Sequence, residues 1–214
     1  GVYIFRPEAL SALLRQDADA SASAHDFGKD LLPMAIDCCR VVAYDFHDLN
    51  AKSARYWRDV GTLDAYYDAN MDLVSVEPEF NLYDENWPIR TSLVQKPPAK
   101  FVFAQEGRRM GVAIDSIVSA GCIVSGGRVM HSVLSPGVRV HSYCEVDNSI
   151  LLSNARIGRY SRLRRTIVDS GVCIPESSVI GFDAASDRAN GHHVTDSGIV
   201  VVSDRTFQPA FMPD

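Results

Sequence analysis

Aspartates set among aromatic residues mark two short segments of this sequence, and a pair of arginines marks a third. In His25-Asp26-Phe27-Gly28-Lys29-Asp30 two carboxylates stand just before an apolar run, where either can accept the amide N–H groups left open at a helix start. In Tyr56-Trp57-Arg58-Asp59-Val60-Gly61-Thr62 one carboxylate follows a guanidinium, and the two can form an ordinary loop ion pair. Phe27 and Trp57 have an equally plain use as core aromatics. Arg139 and Arg156 lie seventeen residues apart, so their meaning depends on whether the fold brings them together. The histidines, His25, His47, His131, His141, His192 and His193, show no metal-ligand spacing. The cysteines, Cys38, Cys39, Cys122, Cys144 and Cys173, are odd in number and lack a CxxC pair, which argues against a disulfide framework and against zinc.

The longest regular element runs from Ile117 to Gly181. Written in rows of seventeen, it puts aliphatic residues into three columns: Ile117, Leu134, Leu151, Val168; Ile123, Val140, Ile157, Ile174; and Val129, Val146, Leu163, Ile180. The spacing is six, six, five. That period fits neither the alternation of a single strand nor a helix, but it suits a triangular solenoid with one inward aliphatic per side. Gly121, Gly127, Val138, Cys144, Ala155, Ser161, Val172 and Ser178, four positions after these aliphatics, are small enough to turn the corners. A sandwich of short strands would need tight Asn-Gly or Asp-Gly hairpins, which these rows lack. The pattern therefore predicts a parallel β-helix of hexapeptide repeats.

What precedes it reads differently. Val2 to Phe5 predicts a strand, Pro7 opens a helix to about residue 16, and Pro33 places the start of a second helix near Asp30. Arg40 to Phe46 predicts another strand, and Thr62 can cap a helix bearing Leu63, Tyr66, Tyr67, Met71 and Val74. Strand, helix, strand, helix is an α/β fragment that cannot close a sheet by itself. Pro97-Pro98 marks an extended connector, so the expected division is an α/β part over 1–90, a linker over 91–113, and the β-helix with a C-terminal tail over 114–214. A start at Gly1 without methionine, running straight into an apolar strand, leads us to expect a piece of a longer polypeptide. Net charge −6 disfavours a nucleic-acid partner, and no apolar run approaches the roughly eighteen residues of a membrane span, so a cytoplasmic location is expected.

These residues carry a resemblance. Gly1-Val2-Tyr3-Ile4-Phe5, the His25 to Asp30 segment, the Tyr56 to Thr62 segment, Asn86-Trp87-Pro88-Ile89-Arg90-Thr91, Pro97-Pro98-Ala99-Lys100-Phe101 and the coils resemble, in that order, the carboxy-terminal half of the bacterial ADP-glucose pyrophosphorylases. The resemblance implies the end of a nucleotidyltransferase α/β domain followed by a left-handed parallel β-helix. It implies the reaction of glucose 1-phosphate with ATP to give ADP-glucose and pyrophosphate, for glycogen synthesis, assisted by Mg2+. Asp59 matches the family's metal-binding, catalytic aspartate. Tyr3, Asp26, Phe27 and Trp57 match positions lining the glucose 1-phosphate pocket. The family's glycine-rich nucleotide loop and sugar-phosphate lysine have no counterpart in these residues, so residues 1–214 alone are expected to be inactive. A homotetramer controlled by an anionic metabolite is also implied.

Two other functions compete. A hexapeptide acyltransferase would use a coil histidine, His131 or His141, as general base, but would leave the α/β part without a purpose. A non-catalytic assembly and regulatory module would need only the β-helix. In the coils Glu145 falls between Arg128 and Arg162, Asp147 meets Arg164, and Arg159 meets Glu176. Arg139 and Arg156 instead stack on each other, in a column flanked by Cys122 and Cys173. Two guanidiniums so placed repel unless solvent screens them or an anion joins them, which makes the pair a candidate effector site or contact with an acidic neighbour subunit.

Overall fold

Parallel ladders run the length of the second half of the chain in the computed structural model, which describes residues 1–48, 53–54, 56–92, 94–105 and 109–203. One face of the β-helix stacks Val112–Ile114, Arg128–Met130, Glu145–Asp147, Arg162–Arg164 and Val179–Ile180. A second stacks Ile117–Val118, Val133–Leu134, Ile150–Leu151, Thr166–Val168 and Val200–Val202, with His193–Val194 antiparallel at its end. The third stacks Lys100–Val102, Ile123–Ser125, Arg139–Val140, Arg156–Ile157 and Cys173–Ile174. The ladders thus begin at Lys100, inside the stretch expected as a linker. The expected tail, 204–214, lies outside the described residues.

The inward columns are as dry as the repeat implies. Leu134, Leu151, Val168, Val140, Ile157, Val129 and Val146 are all fully buried. In the first coil, however, the pattern shifts by one residue. Val118 pairs with Leu134 and Val124 with Val140, so the columns contain Val118 and Val124 where the sequence pattern suggested Ile117 and Ile123. This coil is one residue shorter because its corner at Gly126-Gly127 is tighter. A Cβ on Gly127 would lie 2.7 Å from the His141 carbonyl oxygen, so only glycine permits that approach. By the same shift Cys122, not Gly121, joins the small corner column of Val138, Ala155 and Val172, while Gly127 keeps its expected place above Cys144 and Ser161.

The corners also solve a polar problem. Ser132, Ser149 and Thr166 are buried, and each hydroxyl donates to the carbonyl two residues earlier, at 2.6, 2.8 and 2.9 Å. The Ser132 hydroxyl accepts the Ser149 amide, and the Ser149 hydroxyl accepts the Thr166 amide. Each coil therefore satisfies the next one's orphan donor.

The chain forms two compact units, residues 1–55 and 56–214. The first contains α1 (Pro7–Ala18), a π-helical turn over Phe27–Leu31, and α2 (Leu32–Cys38). Its core is small: Leu13, Leu31 and Ala35. Neither Val2 to Phe5 nor Arg40 to Phe46 is a strand, contrary to the sequence expectation, because within the described residues neither has a sheet to join. In the second unit α3 (Leu63–Asp72) packs on the β-helix, and α4 (Ala184–Ala189) interrupts the last coil.

Candidate functional site

The His25 to Asp30 segment is an N-terminal cap. Asp26 Oδ1 accepts the amides of Gly28 and Lys29, both at 2.8 Å, and Asp30 Oδ2 returns the favour by accepting the Asp26 amide at 3.0 Å. The Lys29 amide bond, then that of Gly28, holds the Asp26 carboxyl below its ordinary value. The group is thus a committed anion near neutral pH. Beside it the rings of Tyr3 and Phe27 stack at 6.0 Å with an interplanar angle of 12°, and Phe5 tilts against both. Phe27 is 39% and Tyr3 41% exposed, so Phe27 is no core aromatic here; the pair presents apolar ring surface next to a carboxylate. A carboxylate can accept hydroxyl hydrogen bonds, and exposed ring faces can cover apolar C–H groups.

The Tyr56 to Thr62 segment lies in the other unit. Asp59 is exposed, and its Oδ1 accepts the Gly61 amide at 3.1 Å. Thr62 Oγ1 accepts the Ala65 amide at 3.2 Å, capping α3 as the sequence predicted. Tyr56 stacks on Phe80 at 4.9 Å, with Trp87 edge-on to Phe80 at 6.3 Å, which anchors the start of the loop. Trp57 is 61% exposed and is not a core residue. Among the described residues no three His, Cys, Asp or Glu side chains gather into a metal cage. A lone exposed carboxylate does fit Mg2+, which is commonly held by one or two carboxylates together with substrate phosphates.

Arg139 and Arg156 pair in register, as expected, but the column's upper neighbour is Ile123 rather than Cys122, again because the first coil is short. Arg156 is followed by Cys173. Burial first, then Arg139, Arg159 and Arg156, push the His141 pKa down, against a smaller opposing pull from Glu176. On the neighbouring face arginines meet carboxylates, with Arg162 on Glu145 at 3.0 Å and Arg164 by Asp147 at 3.5 Å. His131 sits between Asp115 and Asp147, at 3.5 and 3.8 Å.

Sequence reasoning missed one set of contacts. Asp64 and Tyr67, on α3, bind β-helix residues more than eighty positions away, and helical spacing could show an apolar face but not what it would meet.

Residues 1–76 match the family described as nucleotidyl transferase, and residues 97–202 match the GlmU-like C-terminal hexapeptide family. The first part is therefore similar to the nucleotidyl transferases and the second to the hexapeptide β-helices, in that order along the chain. The chain is 59% identical over 95% of its length to the glucose-1-phosphate adenylyltransferase of Koribacter versatilis, covering 48% of that protein. The enzymes of the same name from Rhodopirellula baltica and Teredinibacter turnerae are 53% and 50% identical over 95% of the chain, which covers 46% and 48% of them. The likeness drawn from the ordered motifs is borne out, and an acyltransferase is not favoured. The chain spans about half the length of the curated relatives it matches. No helix among the described residues is long and apolar enough to cross a membrane.

Proposed function

We propose that this chain supplies the sugar-phosphate side, one magnesium carboxylate and the β-helix of a glucose-1-phosphate adenylyltransferase serving glycogen synthesis. The observation that carries the reading is the 59% identity to an enzyme of that name across nearly the whole chain. In the reaction a phosphate oxygen of glucose 1-phosphate attacks the α-phosphorus of ATP, the bond to the bridging oxygen breaks, and pyrophosphate leaves with the electron pair. Such transfers rest on positioning and electrostatics. Asp26 accepts sugar hydroxyls through whatever capacity its cap leaves, Tyr3 and Phe27 cover an apolar sugar face, and Trp57 offers a further exposed ring. Asp59 holds Mg2+, which when bound neutralises phosphate charge. Residues 1–90 serve as the end of the catalytic domain, the segment before Lys100 joins it to the β-helix, and the β-helix serves assembly and regulation.

Arg139 and Arg156 take an anion: the phosphate of a metabolite effector or a carboxylate of a neighbouring subunit in a cytoplasmic homotetramer. Second to burial, Arg139, Arg159 and Arg156 help hold the His141 pKa down, which supports a locally positive wall. In a full-length enzyme carrying these residues, Asp59→Asn keeps side-chain size and removes one anionic ligand. Turnover should fall by roughly two orders of magnitude or more with the circular dichroism unchanged; an unchanged rate would end the assignment. Arg139→Glu with Arg156→Glu should abolish the effector response or alter the oligomer mass.

A further inference from the structure

The loop that bears Asp59 is only three residues from the cap of α3, and α3 is bolted to the β-helix. Its Tyr67 is 4% exposed, packed among Ile150, Ile167 and Ile199. The Tyr67 hydroxyl donates to the carbonyl oxygen of Asn148 at 2.7 Å, at a coil corner. In the first turn of α3, Asp64 Oδ1 accepts the Thr195 hydroxyl at 3.1 Å and also the Ser197 hydroxyl. Arg165 closes the set: it donates to the Ser197 carbonyl oxygen at 3.2 Å, and its guanidinium lies 5.5 Å from the centre of the Tyr67 ring. The Ser197 bond is also the main cause of a lowered Asp64 pKa, so the carboxylate that receives these hydroxyls is ionised at neutral pH.

Nothing in this arrangement is needed to close the β-helix, whose columns fill without α3. Capping of the helix does not require it either, since Thr62 already accepts the Ala65 amide. What the contacts do is pin both the first and second turns of α3 to residues 148–199. With Thr62 capping and the Asp59–Gly61 turn immediately before it, the loop carboxylate inherits that fixed position. We infer that α3 is a strut through which the β-helix positions the Asp59 loop, with Asp64, Tyr67 and Ser197 as positioning residues. The inference rests on the reading of Asp59 as a magnesium ligand. It gives the β-helix a part in ion binding separate from assembly or effector binding. Supporting groups of this kind typically change metal affinity or activity about 10- to 100-fold when lost.

Ser197→Ala removes one hydroxyl from a surface residue, and Tyr67→Phe removes one more while keeping the ring. In the metal-free chain of 214 residues, the double variant should speed amide hydrogen exchange at Gly61 and Ala65 about tenfold or more, with exchange in the Leu134 to Val168 coils unchanged. In the full-length enzyme it should raise the Mg2+ concentration for half-maximal rate roughly tenfold, while Ser197→Thr, which keeps a hydroxyl, restores the wild-type value. Both shifts are required, and the absence of either overturns the strut. Asp59→Asn separates the two ideas. If that variant keeps wild-type turnover and magnesium dependence, the ion-site reading fails, and the exchange measurement alone then decides whether α3 holds the loop.

Discussion

The amino-terminal unit is built from sequence no less apolar than that of the β-helix, yet the two reach opposite ends. In the β-helix every coil places its aliphatics on the axis, and the neighbours seventeen residues away cover them, so nineteen buried residues form one continuous core. Among the described residues of 1–55, Leu13, Leu31 and Ala35 are the buried apolar side chains, while Ile4 is 99%, Val2 85% and Val42 74% exposed. A solenoid supplies its own partners by repetition. An α/β fragment does not, because the apolar segments before and after its helices need a sheet that these residues do not contain. The difference lies in topology, not in composition.

The thiols give the largest test of that contrast. Cys38 and Cys39 are exposed at the end of α2, whereas Cys122 and Cys144 are buried in the coils, and burial pushes Cys144 up to about 11. At pH 8 an alkylating reagent should label Cys38 and Cys39 at least about a thousandfold faster than Cys122 and Cys144, which must wait for the coils to open. Peptide mass spectrometry reads the ratio, and comparable rates would break the claim that one unit is closed and the other open. The sign of the pH effect follows. A folded-state value raised above the unfolded one gives stability that is complete below the unfolded value of 9.0 and is lost as pH rises toward about 11. Alkaline titration should therefore loosen the β-helix and expose Cys144.

Legibility in the sequence follows the same divide. The seventeen-residue period was visible because each coil repeats the demand for an inward aliphatic, and the charge pairs Glu145–Arg162 and Asp147–Arg164 followed from it. The first coil was misread by one residue because Ile117-Val118 and Ile123-Val124 are both aliphatic pairs, and either member can fill a column; only the tight approach at Gly127 chooses. The capping roles of Asp26 and Thr62 were legible, since they depend on neighbours a few residues away. The union of α3 with the coils was not, since Tyr67 reads as an apolar helix position whatever it meets. Asp59 stands apart: its role was carried by the likeness to a family, and its single turn-forming bond to Gly61 would suit a plain loop equally well.

A smaller effect separates the cores directly. Leu151 is fully buried in its column, so Leu151→Ala should cost about 2–5 kcal/mol, the lost transfer energy plus the cavity that neighbouring coils cannot close. Ile36, on α2, is 64% exposed, and Ile36→Ala should stay within about 0.5 kcal/mol. Denaturant melts of the two variants, followed by circular dichroism, compare them. Similar losses would mean that the first unit has a core these contacts do not show.

The smallest expected effect asks whether the coils tolerate change at their corners as they do not in their columns. Gly171 has φ +75°, in line with Asn154 at +62° and Gly137 at +81°, one and two coils back in the same corner column. A Cβ built there meets nothing within 4 Å, so Gly171→Ala adds no clash and leaves only the backbone cost of a left-handed alanine, about 1–2 kcal/mol. Asn154 already bears a side chain in that conformation, which shows that the corner accepts one. Gly181 is the contrasting case: its φ is +82°, but its Cβ would collide with the Arg164 carbonyl oxygen, a backbone atom of the coil before it that cannot move without breaking its own ladder. Gly171→Ala should therefore lower the melting temperature by only a few degrees, and Gly181→Ala by clearly more. If Gly171→Ala were as damaging as Leu151→Ala, corner and column would not be separable, and the closure of the β-helix would depend on backbone conformation as much as on its aliphatic core.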